Sequence, residues 1–454
     1  MKLTPFARRP LVIAFASACL AFFPIVAQAA MSTADVERLG KDLTPMGAEK
    51  AGSADGSIPV WEGGIGKPPA GFDPKAGYLD PFAAEKPSLT ITAANMAQYK
   101  DKLAPGQMEM LKRYPTYKLN VYPSHRTTAY PQSMYDNIKT EAAKASLAEG
   151  GNGVQNISHS SVPFPLPKNG IEVIWNHIMR YRGGSIQRFS TEFPVQANGS
   201  FTPVTRSETL VEALAMANPE PNRLLYFMGS ITGPSSVAGE SLLVIDPLDQ
   251  VKEARQAWVY NPGQRRVLRA PDIAYDSPGI GADGLRTTDD YDGFNGSPDR
   301  YDWKLVGKKE MFISYNNYKL TSKSVKYADI IRPNHANQDM VRYEPHRVWV
   351  VEATLKAGKR HVYAKRTFYI DEDSWQIAHT DEYDGRGELW RAHELDAVQY
   401  YDAPAPWFAC EIIYDLQARR YLVTGLANQE KPIKFGIKAD VGYFTADNLR
   451  RLSN

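Results

Sequence analysis

Residues 347–401 read RVWVVEATLKAGKRHVYAKRTFYIDEDSWQIAHTDEYDGRGELWRAHELDAVQYY. Apolar and polar side chains alternate along most of this stretch, which is the period of a strand and not of a helix. Trp349, Val351, Ala353 and Leu355 fall on one face of an extended chain, with Glu352 on the other. Val362, Ala364, Phe368 and Ile370 share a face of the next run, opposite Lys365 and Thr367. Trp375 and Ile377 share a face of the third. The links are Lys356-Ala357-Gly358-Lys359, Asp371-Glu372-Asp373-Ser374 and Asp384-Gly385-Arg386-Gly387. Links this short join antiparallel neighbours, because a parallel crossover needs about a dozen residues or more. The stretch predicts strands over Arg347–Leu355, His361–Asp371, Trp375–Tyr383 and Leu389–Tyr401.

The same period continues outward. Phe408–Leu416 and Tyr421–Leu426 follow on the C-terminal side, and Trp303–Tyr315 precedes. Further upstream lie Ile186–Val195, Phe201–Glu212, Arg223–Thr232, Ser241–Ile245, Arg255–Tyr260 and Arg265–Arg269. No long helical pattern separates the late strands, so the reading is a meandering, strongly curved antiparallel sheet. Before it come helical patterns over Thr92–Tyr114, interrupted at Pro105, over Ser133–Ala148, and over Ile171–Tyr181, ended by Gly183-Gly184. Ser32-x-x-Asp35 marks an earlier helix start, ending near Gly40. The class is α+β. Between these helices the chain is too rich in Gly and Pro for regular elements. Its interspersed Ile58, Val60, Trp61, Phe72, Tyr78 and Phe82 need a surface to lie on, which predicts an ordered coil wrapped around a body.

The first residues carry a different message. Lys2, Arg8 and Arg9 precede an apolar run from Leu11 to Ala27, and Ala27-Gln28-Ala29 is a small-x-small cleavage site. That order predicts a secretory signal peptide and a periplasmic destination. Cys19 lies in the run without the aliphatic residue a lipobox needs three positions earlier, so lipidation is not expected. Cleavage after Ala29 leaves 425 residues and takes the formal charge from +2 to −1, since three bases and no acids are lost. A near-neutral chain does not favour nucleic acid. Only Cys410 remains, so no internal disulfide forms. No later apolar run is long enough for stable membrane insertion. The organisation predicted is residues 1–29 as signal peptide, 30–165 as an N-terminal extension of coil and short helices, 166–430 as the sheet body and 431–454 as a C-terminal tail.

Signatures of catalysis are missing. There is no G-x-S-x-G, no H-E-x-x-H and no phosphate-binding glycine loop, and no catalytic residue, cofactor or metal is assigned. His361, His379 and His393 lie on consecutive predicted strands and could converge on a metal. Strand histidines more often make structural hydrogen bonds. Thr288-Asp289-Asp290-Tyr291-Asp292-Gly293 enters a calcium-loop frame, but its first position lacks a carboxylate and its twelfth is Asp299. An irregular, acidic surface loop without calcium is the expectation there.

Two stretches carry a family resemblance. They are WVYNPGQRRVLRAPDIAYD (258–276) and TTDDYDGFNGSPDRYDWKLVGKKEMFISY (287–315). They resemble the outer-membrane lipoprotein-sorting superfamily, the relatives of LolA and LolB, in a W-x-Y-x-P strand (Trp258 to Pro262), the basic hairpin Arg265, Arg266 and Arg269, and the loop Phe294, Gly296, Ser297, Tyr301 and Asp302. The turn Tyr383, Asp384 and Gly387 resembles the same superfamily. DGSIPVWEGGI (55–65) is similar to a proteobacterial periplasmic family in which such a sheet carries a long N-terminal extension. The resemblance implies an antiparallel half-barrel with capping helices around an apolar concavity, and a carrier of acyl chains or similar molecules. It also implies accompaniment of inner-membrane transporters of the resistance-nodulation-division type and of outer-membrane barrels.

Three functions compete. A non-catalytic binder or carrier needs an open apolar cavity. An accessory subunit docking on an export system needs an exposed apolar patch. An envelope hydrolase acting on an acylated or glycan substrate needs a cleft with two perturbed carboxylates. The binder leads, and strand alternation gives its candidate apolar face: Trp258 and Tyr260; Trp349, Val351 and Leu355; Phe368 and Ile370; Trp375 and Ile377. A register error of one residue inverts any of these assignments.

Overall fold

The computed structural model describes residues 31–452. The signal peptide assigned to residues 1–29, with Cys19 and the cleavage site, lies outside the described residues. In chain order the first strands are β1 (Leu89–Ile91), β2 (Leu119–Val121), β3 (Ser146–Leu147), β4 (Val154–Gln155), β5 (Ser185–Val195), β6 (Val204–Glu212), β7 (Leu225–Gly233), β8 (Ser241–Asp246) and β9 (Gln256–Asn261). Then follow β10 (Arg266–Arg269), β11 (Tyr301–Ser314), β12 (Tyr343–Leu355), β13 (Lys365–Asp371), β14 (Ile377–Tyr383), β15 (Leu389–Tyr400), β16 (Ala405–Asp415), β17 (Arg420–Leu426) and β18 (Lys434–Phe435). The α-helices are α1 (Thr33–Arg38), α2 (Pro105–Arg113), α3 (Gln132–Ala142), α4 (Gly170–Met179), α5 (Tyr327–Ile330) and α6 (Ala446–Leu452). Among the described residues no helix is long and apolar enough to cross a membrane.

Among the described residues 16 strands join one sheet, in the order β1-β2-β12-β13-β14-β15-β16-β17-β5-β6-β7-β8-β9-β10, with β11 paired to β12 and β18 to β5. All these pairings are antiparallel except one bridge, Tyr343 to Val121. The two ends of the path do not pair, so the sheet is an open, curved half-barrel in an α+β fold. Register slips by a residue at Leu305/Gly307, Tyr369/Ile370, Glu382/Tyr383 and Asp396/Ala397. Such bulges bend and twist a strand locally, which is how a sheet this wide curls.

Of the predicted strands that start late, two do so for visible reasons. Trp375 has φ 58°, a left-handed conformation that costs a non-glycine residue roughly 1–3 kcal/mol. Its ring is held in place: the indole Nε1 donates to the Met46 carbonyl at 3.0 Å and the ring stacks on Trp349. The turn after β13 therefore extends through Trp375, and β14 begins at Ile377. Likewise His361–Ala364 leaves the ladder. His361 there lies 3.0 Å from Asp289, and the Tyr363 amide donates to His361 Nδ1.

Helix α4 is apolar nearly all round, and Val173, Ile174, Trp175, Ile178 and Met179 are all buried, as a helix inside a core must be. Asn169 caps it by accepting from the Glu172 amide. Its start presses onto β11 and β12: a Cβ at Gly170 would sit 3.0 Å from Val351 Cγ1 and 3.1 Å from Leu305 N. The helix ends at Met179 and not Tyr181, because Arg180 turns extended and reaches Asp292 and Gln376. Upstream, Phe72 and Tyr78 pack edge-on against Tyr401. The Arg126 guanidinium joins the extension to the sheet turn, donating to Asp373 at 2.6 and 2.8 Å and to the Glu49 carbonyl.

Candidate functional site

Directly paired residues share a face, so the register carries one face across the sheet. It runs through Val351, Phe368, Thr380, His393, Ile413 and Leu422 to Pro194 of β5. Along β5 the same face presents Arg188, and continues through Glu208, Gly229, Leu242 and Val259. A parallel row runs Ile186, Leu210, Phe227, Val244 and Ala257. This is the inner face, covered over β11–β14 by α4 and the segment around Phe294.

The covering is complete at one end and partial at the other. Over β12–β14, Val351, Phe368, Ile370, Trp375 and Ile377 are each 0% exposed and pack as core. Trp349 and Leu355 are half-buried against the same cluster. Over β6–β9 a cavity of about 100 Å³ remains, room for several water-sized groups. Its apolar wall is Leu210, Leu225, Phe227, Ile231, Leu242, Val244 and Ile273. Leu225, Phe227 and Leu242 are only half-buried, whereas Tyr226 and Met228 between them on the other face are buried.

The alternation assigned Trp258 and Tyr260 to the same concave face as Trp349 and Phe368, and the register corrects this. Trp258 pairs with Leu243, and Tyr260 with Ser241, both on the outer face. There they pack with Tyr226, Met228 and Leu243 under Phe444 and Leu449 of the C-terminal segment. The seven other predicted residues do share the inner face, but they form its filled part and not the wall of the cavity. Residues around the cavity were not assigned from the sequence. The signal present was Leu225-x-Phe227-x-Gly229-x-Ile231, in which the glycine leaves the Phe227 ring to lie along the strand: a Cβ there would meet it at 3.0 Å.

The roof of the cavity is the segment expected as an acidic surface loop. It is irregular, as expected, but it is interior: Asp289 is 1%, Asp290 0% and Asp292 2% exposed. Each acid has found a guanidinium. Arg366 donates to Asp289 at 2.6 Å and to Asp290 at 3.4 Å. Arg180 and Arg182 donate to the two oxygens of Asp292 at 2.5 and 2.8 Å. Burial alone would raise the Asp292 carboxyl, but these guanidiniums outweigh it and hold it well below the usual carboxylate range. Beside it Arg255 forks onto Asp246 at 2.5 and 2.8 Å. Sequence density of Asp, Gly and Asn reads as a surface loop because the arginines that neutralise it are remote in the chain.

The three strand histidines do not converge. His361 pairs with Asp289, His379 with Asp381 and His393 with Glu411, at 3.0, 2.9 and 3.0 Å. A different set, His346, Asp371 and Asp373, brings ligand-type atoms within 4.8 Å of one another. Asp373 there already receives both Arg126 bonds, so the position is occupied by a guanidinium. Burial pushes the Asp371 and Asp396 carboxyls up to about 7 and raises Glu394 and Glu382. None of these four lines the cavity.

A family model described as protein of unknown function, DUF1329, matches residues 90–450. The chain belongs to the DUF1329 family. An uncharacterized protein of Pseudomonas aeruginosa is 52% identical over 429 residues, covering 93% of this chain and 94% of its own. Among solved structures, a domain from Vibrio parahaemolyticus named for outer membrane lipoprotein sorting matches with TM-score 0.44 and 14% identity, covering 62% of this chain and 98% of that one. A DUF1329 protein of Desulfovibrio piger matches with TM-score 0.41 and 13% identity, over 59% of this chain and 92% of that one. In this DUF1329 chain the motif residues Phe294 and Gly296 frame the inner face. Phe294 packs edge-on against Phe368, and a Cβ at Gly296 would sit 2.6 Å from Asp289 Cβ.

Proposed function

We propose that this protein binds and carries an apolar, chain-like molecule in the cavity over β6–β9, without bond-making chemistry, after export to the periplasm. The observation that carries the reading is the cavity wall itself: Leu225, Phe227 and Leu242 are left half-covered around a void on the inner face of the sheet. Large apolar side chains ordinarily end in full burial, and leaving them facing a void forfeits dispersion contacts on one side. A ligand restores those contacts. Each methylene buried contributes about 0.8 kcal/mol, so apolar contact supplies affinity with few polar contacts. Burial pushes one carboxyl beside the cavity, Glu212, up to about 7, but it is engaged by the Arg182 and Gly184 amides and does not line the cavity, which gives a hydrolase no pair of perturbed carboxylates there.

The test is a titration of delipidated protein with a fluorescent fatty acid, followed by displacement with unlabelled dodecanoate. The expected result is saturable binding near one molecule per chain, reversed by the competitor. Absence of saturable binding would contradict the reading.

A further inference from the structure

We infer that the ligand is an amphiphile with a single carboxylate head group, and that Arg206 and Arg286 seat that carboxylate at the β5–β6 end of the cavity. This rests on the cavity being the binding site and adds the chemistry of what it takes.

Both ends of the cavity are charged, but they are not equivalent. At the β8–β9 end the charges are matched. Arg255 forks onto Asp246 and donates to the Asn295 carbonyl, while Arg182 donates to Asp292 and to main-chain carbonyls of Ile178 and Arg180. Nothing there is left to bind. At the β5–β6 end three guanidiniums meet two carboxylates. Arg188 donates to Glu208 Oε2 from Nε and Nη2, at 3.0 and 2.9 Å. Arg206 pairs with Glu192 and stands 3.6 Å from Glu208 Oε1. Arg286 lies 3.8 Å from Glu192. These five side chains carry one net positive charge, and Glu240 is a further, half-exposed carboxylate on the cavity lining.

Arg286 is the least satisfied of the three. It is 5% exposed and its Nη1 makes only a long 3.4 Å bond to the Thr287 carbonyl. Its Nε has no hydrogen-bond partner among the described residues, and neither do Arg206 Nε, Arg188 Nη1, Glu208 Oε1 and the two Glu192 oxygens around it, so the whole group is under-satisfied. A buried donor left unpaired is costly, so such a group is retained where something completes it. Its guanidinium lies flat against bare backbone: a Cβ at Gly279 would come within 2.9 Å of Arg286 Cζ. Arg206 and Arg286 both line the cavity. Burial and the neighbouring Arg286 and Arg188 charges push the Arg206 guanidinium down to about 10, a repulsion that an anion between them would relieve.

The chemistry selects the head group. A planar guanidinium fork matches a planar carboxylate in two parallel hydrogen bonds. A carboxylate brings one negative charge, which equals the excess. A phosphate monoester brings nearly two and would leave the buried site with a net negative charge. The chain beyond the head group meets Leu210, Phe227, Leu242 and Val244 in the next rows of the sheet.

The experiment compares decanoate, 1-decanol and decyl phosphate as competitors for the fluorescent fatty acid on wild type and on Arg286→Gln and Arg286→Lys. The wild type should prefer decanoate to decanol by at least tenfold, and decanoate to decyl phosphate. That preference should fall toward one in Arg286→Gln and be partly kept in Arg286→Lys. Equal binding of decanoate and decanol by wild type would overturn the head-group assignment and leave the apolar cavity standing. Tighter binding of decyl phosphate would overturn the choice of carboxylate. A folded Arg286→Gln that keeps the full preference would remove Arg286 from the seat. Failure of all three competitors to bind would overturn both the head group and the cavity reading.

Discussion

Replacing Val244 with tryptophan should abolish ligand binding while the protein still folds. Val244 stands in the middle of the cavity row, paired with Phe227 on one side and Ala257 on the other. An indole there takes the space an acyl chain would use. Overpacking a tight core costs about 1–3 kcal/mol, but here the added atoms enter an existing void, so the penalty should fall at the low end. The ligand loses far more. Excluding even four methylenes removes about 3 kcal/mol, more than a hundredfold in affinity. The displacement titration should show no saturable phase for Val244→Trp, with an unfolding midpoint close to wild type. Undiminished binding by the folded variant would place the ligand elsewhere.

Replacing Arg366 with methionine should have the largest effect on stability. Arg366 is 0% exposed and lies among Asp289, Asp290 and Glu382. Methionine matches much of its shape but strands the acids without a counter-charge, and removing one partner of a buried pair costs about 3–5 kcal/mol. The cost should depend on pH in a defined direction. In the wild type, burial would raise the Asp289 carboxyl, but Arg366 and His361 outweigh it and hold it well below its ordinary value. A depressed carboxylate contributes stability that is present above its unfolded pKa, near 4, and lost as pH falls through the lower folded value. In the variant the largest opposing charge is gone and only His361 and Thr287 still counter burial, so the carboxyl rises and the folded state is less penalised by acid. The stability gap between the two proteins should therefore be widest at neutral pH and shrink as pH falls toward 4. Urea unfolding at a series of pH values reads this out, and a gap that stayed constant would mean the acids are not held by Arg366.

The strands were legible because their period is local. From Ser185 to Leu426 every predicted strand appears, most of them displaced by only one or two residues at their ends. The starts at Phe201, Arg347, His361 and Phe408 are displaced by three or four residues, and at His361, as at Trp375, a side-chain contact from a distant segment overrode the alternation. The interior of the half-barrel was less legible for a related reason. Alternation says which residues of one strand lie together, but not which side of the sheet they take. Trp258 and Tyr260 were as apolar as Trp349 and Val351, and only the cross-strand register separates their faces. Equally, the apolar inner residues of β12–β14 and of β7–β8 look alike in sequence. What distinguishes filled core from cavity wall is the placement of α4, which depends on Gly170 meeting Val351. The charged end was hidden by dispersion along the chain, since Arg188, Arg206 and Arg286 lie on separate elements.

An apolar ligand on the inner face over β6–β9 should leave the protein on solvent extraction. The most direct measurement is mass spectrometry of a solvent extract of natively purified wild-type protein and of Val244→Trp prepared identically. A discrete amphiphilic molecule should be recovered in near-stoichiometric amount from wild type and be absent from the variant. Equal recovery from both proteins, or nothing above background from wild type that has also failed to bind added fatty acid, would contradict it.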